Sequence, residues 1–218
     1  MRRVAAIGLA VACVFAACGG NKPAARPSPL ITVPAAGPLA PALLSASQLR
    51  RVPGFSTAVV TPLVDVKILQ DPDPRGPCGG KVPVLALDDA AGLSWSAEAI
   101  RGGAQLVIRR PAGQVKTYLT ARLNDISPHC GVYTTQTAQG LTQEVKYEGA
   151  VRITGQADQS LAVVTAIKIN GDVRAATAIE VRRGDVLSRT VIFTAAPLDN
   201  TIVRGIGALM AKGLDRLE

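Results

Sequence analysis

The chain has 218 residues, 48% of them apolar and 18% charged, a size that suits one packed domain with a targeting segment better than two domains. Its four cysteines form no CxxC pair, it has one histidine, and no apolar run reaches the ~18 residues of a membrane span; these features argue against a zinc ribbon, an iron-sulfur protein and a polytopic membrane protein. Lys plus Arg number 24 against 16 Asp plus Glu, a net +8, and removing Arg2 and Arg3 with the segment before Cys18 leaves 22 against 16, or +6.

Arg2 and Arg3 form a positive start, and Val4 to Ala17 is an unbroken run of apolar and small residues, long enough for the core of a signal peptide and too short to span a bilayer. The run ends in Phe15-Ala16-Ala17-Cys18-Gly19, which resembles a bacterial lipobox, with Phe15 where Leu, Val or Ile is usual. In that reading Cys18 is thioether-linked to diacylglycerol and becomes the first residue. Each buried methylene contributes ~0.8 kcal/mol, so two or more chains anchor the protein stably at the cell membrane. The alternative is an ordinary secretory signal cleaved near Ala17; both export the chain. From Gly19 to Pro41 six prolines alternate with Ala, Gly and Ser with almost no charge, the composition of an extended tether at ~3.1 Å per residue. The expected divisions are residues 1–17 signal peptide, 18–42 lipidated cysteine and tether, and 43–218 folded domain.

Within that domain Ser45 or Ser47 caps a short helix through Leu49 to Val52, stopped by Pro53-Gly54. Val59-Val60, Val64 to Leu69 and Val82 to Leu87 read as strands. Leu93 to Ile100 and Gln105 to Arg109 flank Arg101-Gly102-Gly103, a glycine-rich hairpin turn. Val115, Tyr118, Leu119, Arg122, Leu123 and Ile126 recur at helical spacing after Pro111, with Arg122 interrupting the apolar stripe. Val145 to Thr154, Leu161 to Ile169, Val173 to Arg182 and Val186 to Thr194 are rich in Val, Ile and Thr and are separated by turns, among them Asn170-Gly171 and Arg183-Gly184-Asp185, so an antiparallel meander is expected. In its third strand Val173, Ala175, Thr177, Ile179 and Val181 form a core face, and Arg174, Ala176, Ala178, Glu180 and Arg182 a partly wet one. Asp199 or Asn200 caps a last amphipathic helix with Ile202, Val203, Ile206, Leu209, Met210, Gly213, Leu214 and Leu217 on one stripe. The fold class is α+β: one antiparallel sheet flanked by a mid-chain helix and a C-terminal amphipathic helix.

Cys13 lies inside the signal peptide, so the exported domain keeps two thiols, Cys78 and Cys130, which in an oxidising compartment pair as one disulfide closing about fifty residues. His129 beside Cys130 has neither a second histidine nor paired ligand spacing, so no metal site is expected.

The order of a lipobox, a Pro/Ala tether, Leu43-Leu44-Ser45 opening a short helix that ends at Pro53-Gly54, a cysteine after the first strand region, a helix before a second cysteine, a Val-rich meander through Arg183-Gly184-Asp185-Val186 and a terminal Ile/Leu helix resembles the PknH-like extracellular sensor domain family of mycobacterial lipoproteins and receptor-kinase ectodomains, over residues 43–218. The resemblance implies a mixed α/β domain with a cleft for an extracellular ligand. The family pattern commonly has two disulfides and a tryptophan before the later cysteine; here one pair is available and Ser127-Pro128-His129 precedes Cys130.

No GxSxG elbow accompanies His129, Asp71/Asp73 and Asp88/Asp89 fall in loop-like segments, and Gly79-Gly80-Lys81 lacks the flanking residues of a phosphate-binding loop. No catalytic residue and no cofactor are expected. Arg183-Gly184-Asp185 reads as a hairpin turn before it reads as an adhesion tripeptide. The basic residues occur in pairs, with too few aromatics among them for nucleic-acid binding, while a basic exported domain suits anionic lipid headgroups. The expected function is non-enzymatic binding of a ligand or protein partner at the envelope, on the extracytoplasmic face, with a lipid carrier enclosing an apolar cavity as the alternative.

Overall fold

A computed structural model describes residues 35–63, 82–97, 100–125, 132–136, 142–151, 153, 157–169 and 172–217. Eight strands among them form one antiparallel sheet: β1 (Val59–Pro62), β2 (Ala90–Ala97), β3 (Ile100–Arg109), β4 (Val132–Gln136), β5 (Thr142–Val151), β6 (Gln159–Ile169), β7 (Asp172–Arg183) and β8 (Val186–Thr194). Their order across the sheet is β1-β2-β3-β8-β7-β6-β5-β4. Two meanders therefore meet at β3 and β8, and the chain crosses from the sheet centre to its far edge through α2 (Ala112–Asp125). The α+β class, the run β5 to β8 and the two flanking helices agree with the sequence reading. Gly184, at φ +54°, turns β7 into β8, a backbone region that glycine enters without a Cβ clash.

The sheet is covered on both faces. On one, α1 (Ala46–Leu49), the 3-10 turn Ala40–Ala42 and α3 (Asn200–Leu214) bury Leu39, Ala42, Leu44, Leu49, Phe55, Val203, Ile206 and Met210 against Leu93, Val107, Ile179 and Ile192. The core thus takes in Leu39 and Ala42. Ser45 closes α1 with a reciprocal pair: Gln48 N donates to Ser45 Oγ at 3.2 Å and Ser45 N to Gln48 Oε1 at 2.8 Å. Asp199 caps α3 by accepting from Thr201 N at 2.7 Å, which holds its carboxyl below the ordinary 3.8. A carboxyl with a depressed folded value stabilises above its unfolded value and loses that contribution as pH falls through the folded one. Asp199→Ala should therefore lower Tm at pH 7, and the gap from the parent should close in a melting series taken below pH 3.8. Gly213 lets α3 approach the 3-10 turn: a Cβ there would sit 2.5 Å from the Ala42 carbonyl oxygen. Gly213→Ala should cost a net ~1–2 kcal/mol by denaturant titration, because the clash outweighs the ~1 kcal/mol that alanine adds to a helix.

On the other face, α2 and the segment Val82–Leu87 lie over Leu187, Leu106, Ile108 and Val191. One expectation is refined and two are corrected. The even-numbered face of β7 is partly wet, with Arg174 exposed and Ala178 and Arg182 half-buried, but Glu180 at 1% exposed and Ala176 at 8% are buried there, where α2 packs on that side. Val82 to Leu87 is irregular rather than a strand; Pro83 has no N–H for a ladder, and Val82 and Leu85 turn into the core instead. Arg101-Gly102-Gly103 lies inside β3 and not at a turn, and the Trp95 ring is the physical reason: a Cβ on Gly103 would meet that ring at 2.5 Å. The expected strand at Val64 to Leu69 is continued in the described residues only by β1, and positions 64–70 lie outside them. No helix among the described residues is long and apolar enough to cross a membrane.

Candidate functional site

Polar chemistry concentrates inside the domain, on either side of β7 and β8. Period-two alternation sends Glu180 and Arg189 to the α2 side, and helical spacing sends Tyr118 and Arg122 down from α2 to meet them. Tyr118 Oη donates to Glu180 Oε1 at 2.8 Å, and Arg189 Nη1 donates to Tyr118 Oη at 2.9 Å. Arg122 Nε lies 3.6 Å from Glu180 Oε2, and Arg189 Nε lies 3.5 Å from Oε1. Each carboxylate oxygen thus faces a guanidinium. The four side chains are 1–8% exposed, so the network pins α2 to the sheet and gives Glu180 no open approach for acid-base work. Arg122, which interrupts the apolar stripe, is the one sign of this network that the sequence carries.

On the α3 side, Gln105 bridges the sheet to the chain that enters the domain. Its Oε1 accepts from Leu44 N at 2.8 Å, while its Nε2 donates to Ser188 Oγ at 2.9 Å and to the Ala42 carbonyl at 3.4 Å. Gln105→Ala should cost ~2–4 kcal/mol in a urea titration, from the lost volume and a buried Leu44 N–H left without a partner. Register places Thr190 beside Gln105 and Ile179, and Thr177 beside Ile192. Trp95 pairs with Gly103, the neighbour of Ile192 on its other side. Trp95 Nε1, Thr177 Oγ1 and Thr190 Oγ1 are buried with no hydrogen-bond partner. Three unmade hydrogen bonds therefore lie around Ile192, each costing the fold ~1–3 kcal/mol. Sequence reading passed over all three because threonine in a strand and a single tryptophan read as β propensity and core volume.

The residues expected to carry function fall elsewhere. Cys18, Cys78, Cys130, His129, Asp71, Asp73 and Gly79-Gly80-Lys81 lie outside the described residues. Asp88 pairs with Arg110, and the Asp89 carbonyl accepts from Arg109 N at 3.0 Å. In the β7–β8 hairpin Arg183 pairs with Asp215 and Asp185 with Arg109 at 3.5 Å, so the tripeptide there closes the end of the sheet with its own charges. Arg182 and Gly184 N add contacts to Asp158 at 3.5 and 2.8 Å. Among the described residues no three His, Cys, Asp or Glu side chains gather as a metal site.

No family model matches the sequence, and no curated protein matches it. Among solved structures, the chain is similar to the extracellular domain of PknH from Mycobacterium tuberculosis, with a TM-score of 0.54 and 14% identity over 82% of this chain and 93% of that one. A protein of unknown function from Pseudomonas aeruginosa aligns at a TM-score of 0.32 and 10% identity, over 52% of this chain and 74% of that one. At 14% identity the first likeness is one of fold.

Proposed function

We propose that the chain is an extracytoplasmic lipoprotein, anchored through Cys18, whose folded domain binds a ligand or partner at the cell envelope without transforming it. The observation that carries this reading is the likeness in fold to an extracellular domain, in a chain that opens with a positive start, an apolar run and a lipobox-like Ala16-Ala17-Cys18. Glu180, the buried carboxylate of the interior, is committed to two arginines and a phenol rather than to a substrate. The carrier alternative requires an apolar cavity between sheet and helices, where Leu44, Phe55, Ile192, Ile206 and Met210, all 0–1% exposed, pack together as one core. A disulfide between Cys78 and Cys130 belongs to the same proposal. Val82, four residues after Cys78, packs on Val115, Tyr118 and Leu119 of α2, and α2 ends five residues before Cys130, so both cysteines flank one contact.

Comparing native and denatured masses of the protein purified from an actinobacterial host tests binding. A stoichiometric small molecule that dissociates on denaturation is the expected result. A bare mass in every preparation would sink the small-molecule form and direct the search to protein partners. The pair Thr177→Val and Thr190→Val tests the interior: deleting a hydroxyl that has no partner should leave the Tm of the domain unchanged or raised, and a loss above ~1 kcal/mol would mean that the hydroxyls are already satisfied.

A further inference from the structure

The charges of the domain are not spread evenly. Around the sheet four arginines stand in opposite pairs: Arg109 with Asp185, Arg110 with Asp88, Arg182 with Asp158, Arg183 with Asp215. The layer that covers the α3 side differs. Residues 35–63 contain Arg50 and Arg51 and no Asp or Glu, and α3 with its extension adds Arg204, Lys212 and Arg216. All five are exposed, and none makes an ion pair with a described carboxylate. Of the two described acids in the layer, Asp199 caps α3 and Asp215 faces Arg183. Arg204, Ala208 and Lys212 succeed one another at i, i+4 and i+8 on the solvent side of α3, while Val203, Ile206, Gly207 and Met210 face the core, so the cations form a ridge that packing holds outward.

The same layer receives the chain from the tether. Ala35 leads into the 3-10 turn Ala40–Ala42, whose end Gln105 and Gly213 hold against the sheet and α3. If Cys18 is the membrane attachment, its seventeen-residue connection to Ala35 reaches the domain on its cationic side. We infer that the layer carrying Arg50, Arg51, Arg204, Lys212 and Arg216 lies against the anionic headgroups of the membrane to which Cys18 is anchored, leaving the α2 side to the envelope. This inference rests on the anchor proposed above. Charge complementarity selects the occupant. Each exposed cation contributes a factor of about five near an anionic surface, and the tether removes most of the entropic cost of approach by holding the domain at millimolar effective concentration.

Lys212 reports the contact and Lys116, on α2 across the sheet, is the internal control. Full-length protein taken from host membranes is added to vesicles of neutral phosphatidylcholine or of phosphatidylcholine with roughly one-third phosphatidylglycerol, and amine acylation of each lysine is followed by peptide mass spectrometry. On the anionic vesicles Lys212 should react about fivefold more slowly, Lys116 should be unchanged, and the difference should vanish at about 1 M salt, where the Debye length is ~3 Å. The triple variant Arg50→Glu, Arg51→Glu, Arg204→Glu should abolish the protection. Equal Lys212 rates on both vesicles, with a lipidated Cys18 in the same digest, would overturn this inference and leave the anchor standing. An unmodified Cys18 would overturn the anchor and this inference with it, and protection by added heparin with no difference between vesicles would make the layer a glycan surface.

Discussion

Replacing Glu180 by glutamine is expected to destabilise the domain by about 3–5 kcal/mol. The carboxylate lies between Arg122 and Arg189 at 3.6 and 3.5 Å and is 1% exposed. A neutral amide leaves two buried guanidiniums facing a group that carries no charge, and its single oxygen can accept from Tyr118 Oη only with the NH2, a donor, turned toward Arg122. For a chain of this length the loss corresponds to a fall in Tm on the order of 10 °C. Because α2 touches the sheet through this network and the patch around Leu187, exchange protection of residues 112–125 should fall before that of β7 and β8. The comparison that isolates the charge is Glu180→Met with Arg122→Leu and Arg189→Met. An apolar set of similar volume should recover most of the lost stability, as desolvation of three ions is then avoided. A Tm for Glu180→Gln within a degree or two of the parent would show that the carboxylate does not hold α2.

Replacing Cys78 by serine should cost about 4 kcal/mol under oxidising conditions, the chain-entropy value for a closed loop of about fifty residues, less any native strain. Adding a reductant to the parent should produce the same loss, and adding it to Cys78→Ser should produce none. The proposed bridge spans from the segment before Val82 to the segment after α2, so it and the Glu180 network would restrain the same helix from two ends. Coupling between Cys78→Ser and Glu180→Gln should therefore appear as a combined loss smaller than the two added. An unchanged Tm for Cys78→Ser in oxidised protein would contradict the pairing.

What the residues disclosed and what they concealed divide along physical lines. Long Val/Ile/Thr runs ending at Arg183-Gly184-Asp185 identified β5 to β8, because strand period and turn chemistry are local properties. The two long helices were equally legible from their apolar spacing. Hidden were features set by distant neighbours. Gly102 and Gly103 have the composition of a turn, yet Trp95 across the strand pair requires a residue without a side chain inside β3. β4, Val132–Gln136, is a polar edge strand with no apolar alternation to reveal it. Glu180 sits where alternation assigns a solvent face, and its burial depends on Tyr118 and Arg122, some sixty residues earlier in the chain. The ring of Trp95, Thr177 and Thr190 was illegible for the same reason: register alone brings β2, β7 and β8 together around Ile192.

The anchor is the claim on which the extracytoplasmic reading turns, and the mass of the N-terminal peptide tests it most directly. Protein recovered from the membrane fraction of an actinobacterial host should begin at Cys18 and carry a diacylglyceryl thioether there, and a Cys18→Ser variant should carry no lipid at that position. A chain whose Cys18 thiol is unmodified would contradict the account.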